Sequence, residues 1–551
     1  MKKINKTVYI IASVSIIIGI TIGAIFQPLI SGDNIFSEIQ KFDFVLNTAY
    51  KNYVDEVDSH KLVEAAIKGM LSELDVHSVY ISEEEMKGVS EDFNAAFEGI
   101  GVEFDVIHDT ITIISPIPGG PSAKLGILSG DKIVKIDNEN AVGIKRNEVP
   151  KKLRGTKGTK VVVDIKREGT KALLNFEIIR DKIPIFTVDA HFLIDGSDIG
   201  LVKINRFAAT THEEMLNALF DLKKHGMKKL ILDLRGNPGG YLNQAIYVAD
   251  EFLKGNDTIV YTKGRMPEFD DIFKSSFGGN FEDIPLIVLV DAGSASASEI
   301  VAGAIQDLDR GLIIGTTSYG KGLVQKHYDL PDSSAFRITT SKYYTPSGRC
   351  IQRPYKDKDK YRHLSGRMDL EDGNYILNSL EKIKIQLKKD TTKETEINLD
   401  SLPIYYTKGG RIVLGAGGVT PDIIVKMDTL TDFGIQVRMK VVFNEFINDF
   451  VDLNSIKKTY ANNFNKFLEE YELSQKTLDD FKKLAEKKGV VWKQDQYEID
   501  KDYLITQIKA FIANTVWNSN EMWQVFYSSD IQFQKAKKMF PEVQKITGLK
   551  K

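Results

Sequence analysis

Three serines in five positions stand at a strand-to-helix turn. Asp291-Ala292-Gly293-Ser294-Ala295-Ser296-Ala297-Ser298-Glu299-Ile300 follows the apolar run Leu286 to Val290 and opens a helical pattern. A hydroxyl at the start of a helix lies at the positive end of its dipole, where developing negative charge is favoured. A plain N-cap uses the same residue type at the same place. A serine nucleophile needs a base. The chain has eight histidines and no Gly-x-Ser-x-Gly elbow. His60 lies in an N-terminal helical stretch, His212 and His225 bracket a surface helix, and His327 alone is near the core in sequence. Lysine is the remaining choice. Its ordinary pKa of about 10.4 makes it a poor base, but burial away from carboxylates disfavours the ammonium. A neutral lysine then accepts a serine proton. Lys321 sits between two glycines in Tyr319-Gly320-Lys321-Gly322-Leu323-Val324-Gln325. Such glycines allow close backbone approach, though a solvated turn uses the same pattern. Gln325, four residues on, shares a strand face with Lys321 and is placed to hold its amine.

A third segment, Leu232-Asp233-Leu234-Arg235-Gly236-Asn237-Pro238-Gly239-Gly240, follows another buried strand. Backbone N–H groups at the carboxyl end of an α/β strand can bind an oxyanion. A phosphate loop is the rival, but no Gly-Lys-Ser/Thr follows. Taken in this order, the three segments resemble the carboxyl-terminal processing (tail-specific) proteases, serine peptidases with a PDZ domain and a Ser–Lys pair. The resemblance extends back through Leu74-Asp75-x-His77-Ser78, Gly99-Ile100-Gly101-Val102 and Ser115-Pro116 to Ile136, and covers Phe36 to about Val425. It implies Ser296 as nucleophile, where the residues alone leave Ser294 and Ser298 open. It implies Lys321 as general base and Gln325 as its orienting partner. The oxyanion hole would be the N–H of Ala297 with one from Gly239 or Gly240. Gly99, Ile100, Gly101 and Val102 would be the loop that takes a substrate's terminal carboxylate, beside a strand that pairs with its tail. Gly120 to Gly126 would be a short helix of that domain. Asp307 matches an acidic position of some relatives and reads as structural. The implied reaction is acyl transfer through an acyl-enzyme, without metal or cofactor.

The elements that must position these groups are legible in outline. Residues 35–91 read as helical, with Ser82 capping an acidic first turn of Glu83, Glu84 and Glu85. Residues 92–180 turn to short strands punctuated by glycine and read as the PDZ-like domain. Residues 181–427 alternate strand and helix: strands at Ile199–Ile204, Leu230–Leu234, Leu286–Val290 and Leu312–Ile314, helices at His212–Lys224, Asn243–Leu253 and Ser298–Leu308. That pattern argues for a layered α/β core with largely parallel strands, and the resemblance makes it crotonase/ClpP-like. A charged insertion at 354–400 interrupts it, and Leu402 to Val425 rejoins it. Residues 428–551 read as a helical C-terminal region with no catalytic constellation. The fold class is thus multidomain α/β, with helical regions at both ends.

Composition agrees. The 551 residues are 42% hydrophobic and 27% charged, with a net charge of −3. No basic field exists for nucleic acid. A single cysteine, Cys350, excludes an intrachain disulfide. Lys2, Lys3 and Lys6 precede an uncharged stretch from Thr7 to Gly32 within residues 1–34. About 20 apolar residues span a bilayer, and positive charge holds the N-terminus inside. An uncleaved anchor is favoured over a signal peptide, because the best cleavage site, Thr21-x-Gly23, is weak. The rest would face the periplasm, tethered to the inner membrane, and meet exported proteins with unstructured C-terminal tails. The resemblance also admits a homodimer and an adaptor protein as partners. Two rivals remain: a catalytically silent PDZ scaffold, which Ser296 and Lys321 argue against, and a crotonase-like hydratase, which would need a thioester site.

Overall fold

The computed structural model describes residues 14–16, 18, 35–353, 403–427 and 429–548. The insertion at 354–400 and nearly all of the expected anchor lie outside the described residues. Among the described residues no helix is long and apolar enough to cross a membrane. The chain divides into two compact units.

The first unit holds the residues up to Ile81 together with 327–330 and 334–338. Helices Ile35–Asn52 and Ser59–Ser72 are followed by a strand, Val79–Ile81, that pairs antiparallel with Ala335–Arg337. Asp58 caps the second helix by accepting from the N–H groups of His60 and Lys61. Asp75 closes the following turn, accepting from the N–H groups of His77 and Ser78 at 2.7 and 2.8 Å and from the Ser78 hydroxyl at 3.0 Å.

The second unit begins at Ser82, which caps the helix Glu83–Phe93 with a reciprocal Ser82–Glu85 box. A small antiparallel sheet follows. Its order places strand Val102–Ile107 at one edge and Leu174–Ile179 at the other. Ile111, Ile113, Ile133, Val161, Val163 and Ile165 alternate inward to form its core.

The main sheet has six strands. Val188–Leu193 runs antiparallel at the edge; Ile199–Ile204, Lys229–Asp233, Leu286–Val290, Leu312–Gly315 and Ile423–Ile424 follow in parallel order. The segment after the insertion does return to the core, as its last strand. Parallel strands buried on both faces read as continuous apolar runs, and these do. Leu230, Leu232, Val288, Val290 and Ile313 face the helices Thr211–Lys224, Leu242–Asp250 and Ala297–Asp307. Ile231, Ile287, Leu289, Leu312 and Ile314 face the opposite way. That second face is covered from the C-terminal region, by Tyr527, Phe533, Phe540 and Val543. The rest of the C-terminal helices close a separate aromatic core around Phe433, Phe446, Phe467 and Phe481.

Every residue of the helix Ala297–Asp307 is buried. Its end is fixed by a fully buried ion pair, Asp307 to Arg349 at 2.7 Å, with Arg349 donating also to the Gln306 side chain and the Leu414 carbonyl. Asp307 is therefore structural, as its position suggested. Removing one partner of a buried pair strands the other. Arg349→Met should lower stability by about 3–5 kcal/mol, read as a lower urea midpoint.

Candidate active site

Three adjacent parallel strands end in the three loops singled out by the sequence. Asp233 leads into the glycine loop, Val290 into the serine turn and Gly315 into the lysine loop. The carboxyl ends of neighbouring parallel strands are where such sheets build sites.

Ser296 opens the helix with φ 54° and ψ −110°. Few non-glycine residues adopt a positive φ, and the strain is about 1–3 kcal/mol. The three serines differ in burial. Ser294 and Ser298 are fully buried, and their hydroxyls donate to the carbonyls of Leu234 and Asn237 at 2.8 and 2.9 Å. They fasten the serine turn to the glycine loop. Ser296 is only partly buried. Gly239 packs directly on it: a Cβ there would lie 2.8 Å from Ser296 Cβ and 2.9 Å from the Ala297 nitrogen. Gly239 also takes φ 95°, so only glycine fits without strain. The Gly239 N–H donates to Asn237 Oδ1 at 2.9 Å. The Ala297 N–H is the first of its helix and faces no intrahelical carbonyl.

Glu299 joins the serine turn to the lysine loop. Its carboxylate is fully buried and accepts from the N–H of Ser296 at 2.8 Å, of Gly320 at 2.6 Å and of Lys321 at 2.9 Å, and from the Ser318 hydroxyl at 2.5 Å. Tyr343 makes a second bridge. Its hydroxyl lies 3.1 Å from the Ser296 carbonyl and 2.5 Å from that of Lys321. Lys321 itself is partly buried between Gly320 and Gly322. Gln325, on the strand Leu323–Asp329, donates to Thr339 Oγ1 at 3.4 Å. The sequence signal for Glu299 is the capping-box spacing Ser296-x-x-Glu299, which the catalytic motifs alone do not bring out. Nothing in the sequence marked Tyr343.

Of the histidines, His212 bonds to Glu251 at 2.9 Å and His225 to the Asp221 carbonyl at 2.8 Å. One trio among the described residues, His108, Glu445 and Asp449, could in principle hold a metal. Each already has a protein partner: His108 bonds Asp449 and Lys488 pairs with Glu445.

In the small sheet, Ile100, Gly101, Val102 and Phe104 line a groove closed by Pro150 and Leu153 of the helix Val149–Leu153. The groove runs along the edge strand Val102–Ile107, whose outer side is open to strand addition. Arg154 stacks on Phe97 at the same groove, 4.4 Å to the ring centroid. Ser122 fixes the loop by donating its hydroxyl to the Ile100 carbonyl at 2.7 Å. The sequence pointed to residues 99–102 but not to the helix that faces them.

A PDZ domain joined to a layered α/β core, with a serine turn, a lysine loop and a glycine loop at its strand ends, is the class that this fold and site define. The match to known families agrees: peptidase family S41 over residues 198–359, a PDZ domain over 99–178, the N-terminal domain of the activating protease CtpB over 28–85, and a family of unknown function over 434–518. The carboxy-terminal-processing protease of Bartonella bacilliformis is 38% identical over 353 residues, 63% of this chain and 80% of that protein. Carboxy-terminal processing protease CtpB of Bacillus subtilis is 33% identical over 377 residues, 67% of this chain and 76% of that protein. Among solved structures, the photosystem II D1 C-terminal processing protease matches with 29% identity and a TM-score of 0.32, over 56% of this chain and 83% of that one. The chain belongs to the carboxy-terminal-processing proteases, serine peptidases of family S41.

Burial raises the Glu299 carboxyl to about 7, against the hydrogen bonds from Ser318, Lys321, Gly320 and Ser296 that lower it. A protonated carboxyl cannot accept from all four donors. Its folded value lies above the ordinary 4.5, so the stability it contributes is complete below about 4.5 and lost as pH rises through about 7. Glu299→Gln removes this dependence. The melting temperature of the variant relative to the parent should therefore rise between pH 5 and 8.

Proposed function

We propose that the protein is a serine endopeptidase that cuts exported proteins near their C-terminal tails, with Ser296 as nucleophile and Lys321 as general base. The observation that carries the reading is the Glu299 carboxylate, which accepts from the N–H groups of both Ser296 and Lys321. It supports holding a strained, partly exposed serine and a glycine-flanked lysine in one frame. Lys321 takes the Ser296 proton as Oγ attacks the scissile carbonyl. The oxyanion is met by the Ala297 N–H and that of Gly240, since Asn237 Oδ1 already accepts from the Gly239 N–H. Lys321 returns the proton to the leaving amine, and water then releases the acyl group. Gln325 orients the Lys321 amine.

Selection falls to the groove between Val102–Ile107 and Val149–Leu153. An extended tail pairs with the edge strand, its carboxylate meets the Gly99–Val102 loop, and its last side chain enters the apolar groove. Lys2, Lys3, Lys6 and the uncharged stretch to Gly32 support a tether in the inner membrane, with the catalytic part on the periplasmic side.

The full-length protein, Ser296→Ala and Lys321→Ala are each incubated with an unstructured protein ending in apolar residues, and products are read by intact mass. The parent should cut while both variants fall by at least about a thousandfold. Undiminished cutting by either variant would sink the assignment. Val102→Asp sets a charge in the apolar groove. It should raise KM for that substrate about tenfold or more with kcat little changed.

A further inference from the structure

Two charges, Asp233 buried and Arg235 partly buried, stand at the root of the glycine loop and take no part in the chemistry above. Asp233 ends its strand fully buried. Arg235 folds back on it, its Nε 3.0 Å from Oδ1 and its Nη2 2.7 Å from Oδ2. Burial alone would raise the Asp233 carboxyl, but Arg235 and Lys203 outweigh it and hold the group far below the usual carboxylate range. The pair is completed from the far end of the chain. The Tyr527 hydroxyl donates to Asp233 Oδ2 at 2.5 Å, across a separation of 294 residues. Arg235 Nη1 donates to Gln532 Oε1 at 2.8 Å and lies 2.7 Å from Asp530 Oδ2. Gln532 is held in turn, donating to the Val425 carbonyl at 2.6 Å.

From Arg235 the constraint passes along the loop. Lys203 donates to the Arg235 carbonyl at 3.1 Å, and the Gly236 N–H donates to Asp291 Oδ1 at 2.8 Å. Asn237 donates to the Ile204 carbonyl, and its own carbonyl accepts from the Ala295 N–H and the Ser298 hydroxyl, each at 2.9 Å. Two residues later comes Gly239, in contact with Ser296. A planar guanidinium gripped on several sides is a stiff fixture, and its charge cannot be left without partners in a dry interior.

We propose that Tyr527, Asp530 and Gln532 are positioning residues for the peptidase: by clamping Asp233 and Arg235 they set where the Gly239–Gly240 backbone lies beside Ser296. The C-terminal helices thus complete the oxyanion site. The inference rests on the assignment of Ser296 as nucleophile and of the glycine loop as oxyanion donor.

The test uses the full-length protein with Tyr527→Phe, Asp530→Asn and Gln532→Glu, beside Ser296→Ala and the conservative Asp530→Glu. Tyr527→Phe keeps the ring and removes only the hydroxyl; Gln532→Glu keeps the size, loses the donor to the Val425 carbonyl and sets a third carboxylate on Arg235 against Asp233 and Asp530. Rates are expressed per folded molecule, from unfolding curves taken in the assay buffer. A displaced oxyanion loop should lower kcat about 10- to 100-fold in Tyr527→Phe and Asp530→Asn. KM should stay within about twofold, because the peptide groove is untouched, and Asp530→Glu should recover part of kcat. Unchanged kcat per folded molecule in Tyr527→Phe and Asp530→Asn would overturn the proposal, even where melting temperatures drop. If those two do not fold, Gln532→Glu decides: a kcat equal to the parent's overturns the proposal and a lowered one supports it. Ser296→Ala separates the two readings. If it is dead and the clamp variants cut fully, only the clamp fails; if it cuts, the nucleophile assignment fails on its own account.

Discussion

A parallel sheet with two apolar faces has to be covered twice. That constraint orders most of the second unit. One face is closed by three helices that alternate with the strands in the chain, the usual consequence of right-handed crossovers. The other is closed by helices that arrive only after the strands are complete, with Tyr527, Phe533, Phe540 and Val543 as the covering side chains. Burial on both faces fixes the register of Lys229–Asp233, Leu286–Val290 and Leu312–Gly315, because a one-residue slip would turn every side chain to the wrong layer. Fixed register brings their three following loops together at one end.

The site then depends on polar groups that could not be buried singly. Glu299 is a buried carboxylate surrounded by four donors from two loops. An unsatisfied buried carboxylate would be costly, so each loop requires the other to be in place. This mutual requirement stabilises the positive φ of Ser296, a conformation that a free turn would relax. Asp233 and Arg235 repeat the arrangement one loop away, with donors and acceptors supplied by the C-terminal helices. In both cases the need to satisfy buried charge converts loop flexibility into fixed geometry, which catalysis by preorganised groups requires.

Much of this was legible in the chain. Period-two and period-3.6 patterns located the strands and helices that carry the loops, since side-chain direction follows directly from backbone geometry. The motifs at 232–240, 293–299 and 320–325 were visible because glycine, serine and lysine at strand ends serve few purposes. The apolar run near Val425 was legible as a strand, and Ile423–Ile424 does join the sheet. Tyr343 and Tyr527 were not legible. Each is an ordinary aromatic within its strand or helix, and its value lies in a hydroxyl whose partners are distant in sequence. The groove helix Val149–Leu153 was missed because five residues are too few to show a period.

By itself the sequence determined the strands and helices that alternate between Ile199 and Ile314, their order and the three loops that follow the strands. These follow from local rules, in which a residue's neighbours along the chain settle its conformation. Only the tertiary structure decided which serine is partly exposed, which carboxylate joins the two loops, and that the C-terminal helices cover the sheet and grip Arg235. Those outcomes depend on which groups must share a dry interior. Burial of charge and of apolar area is a property of the assembled layers, and no stretch of chain encodes it alone.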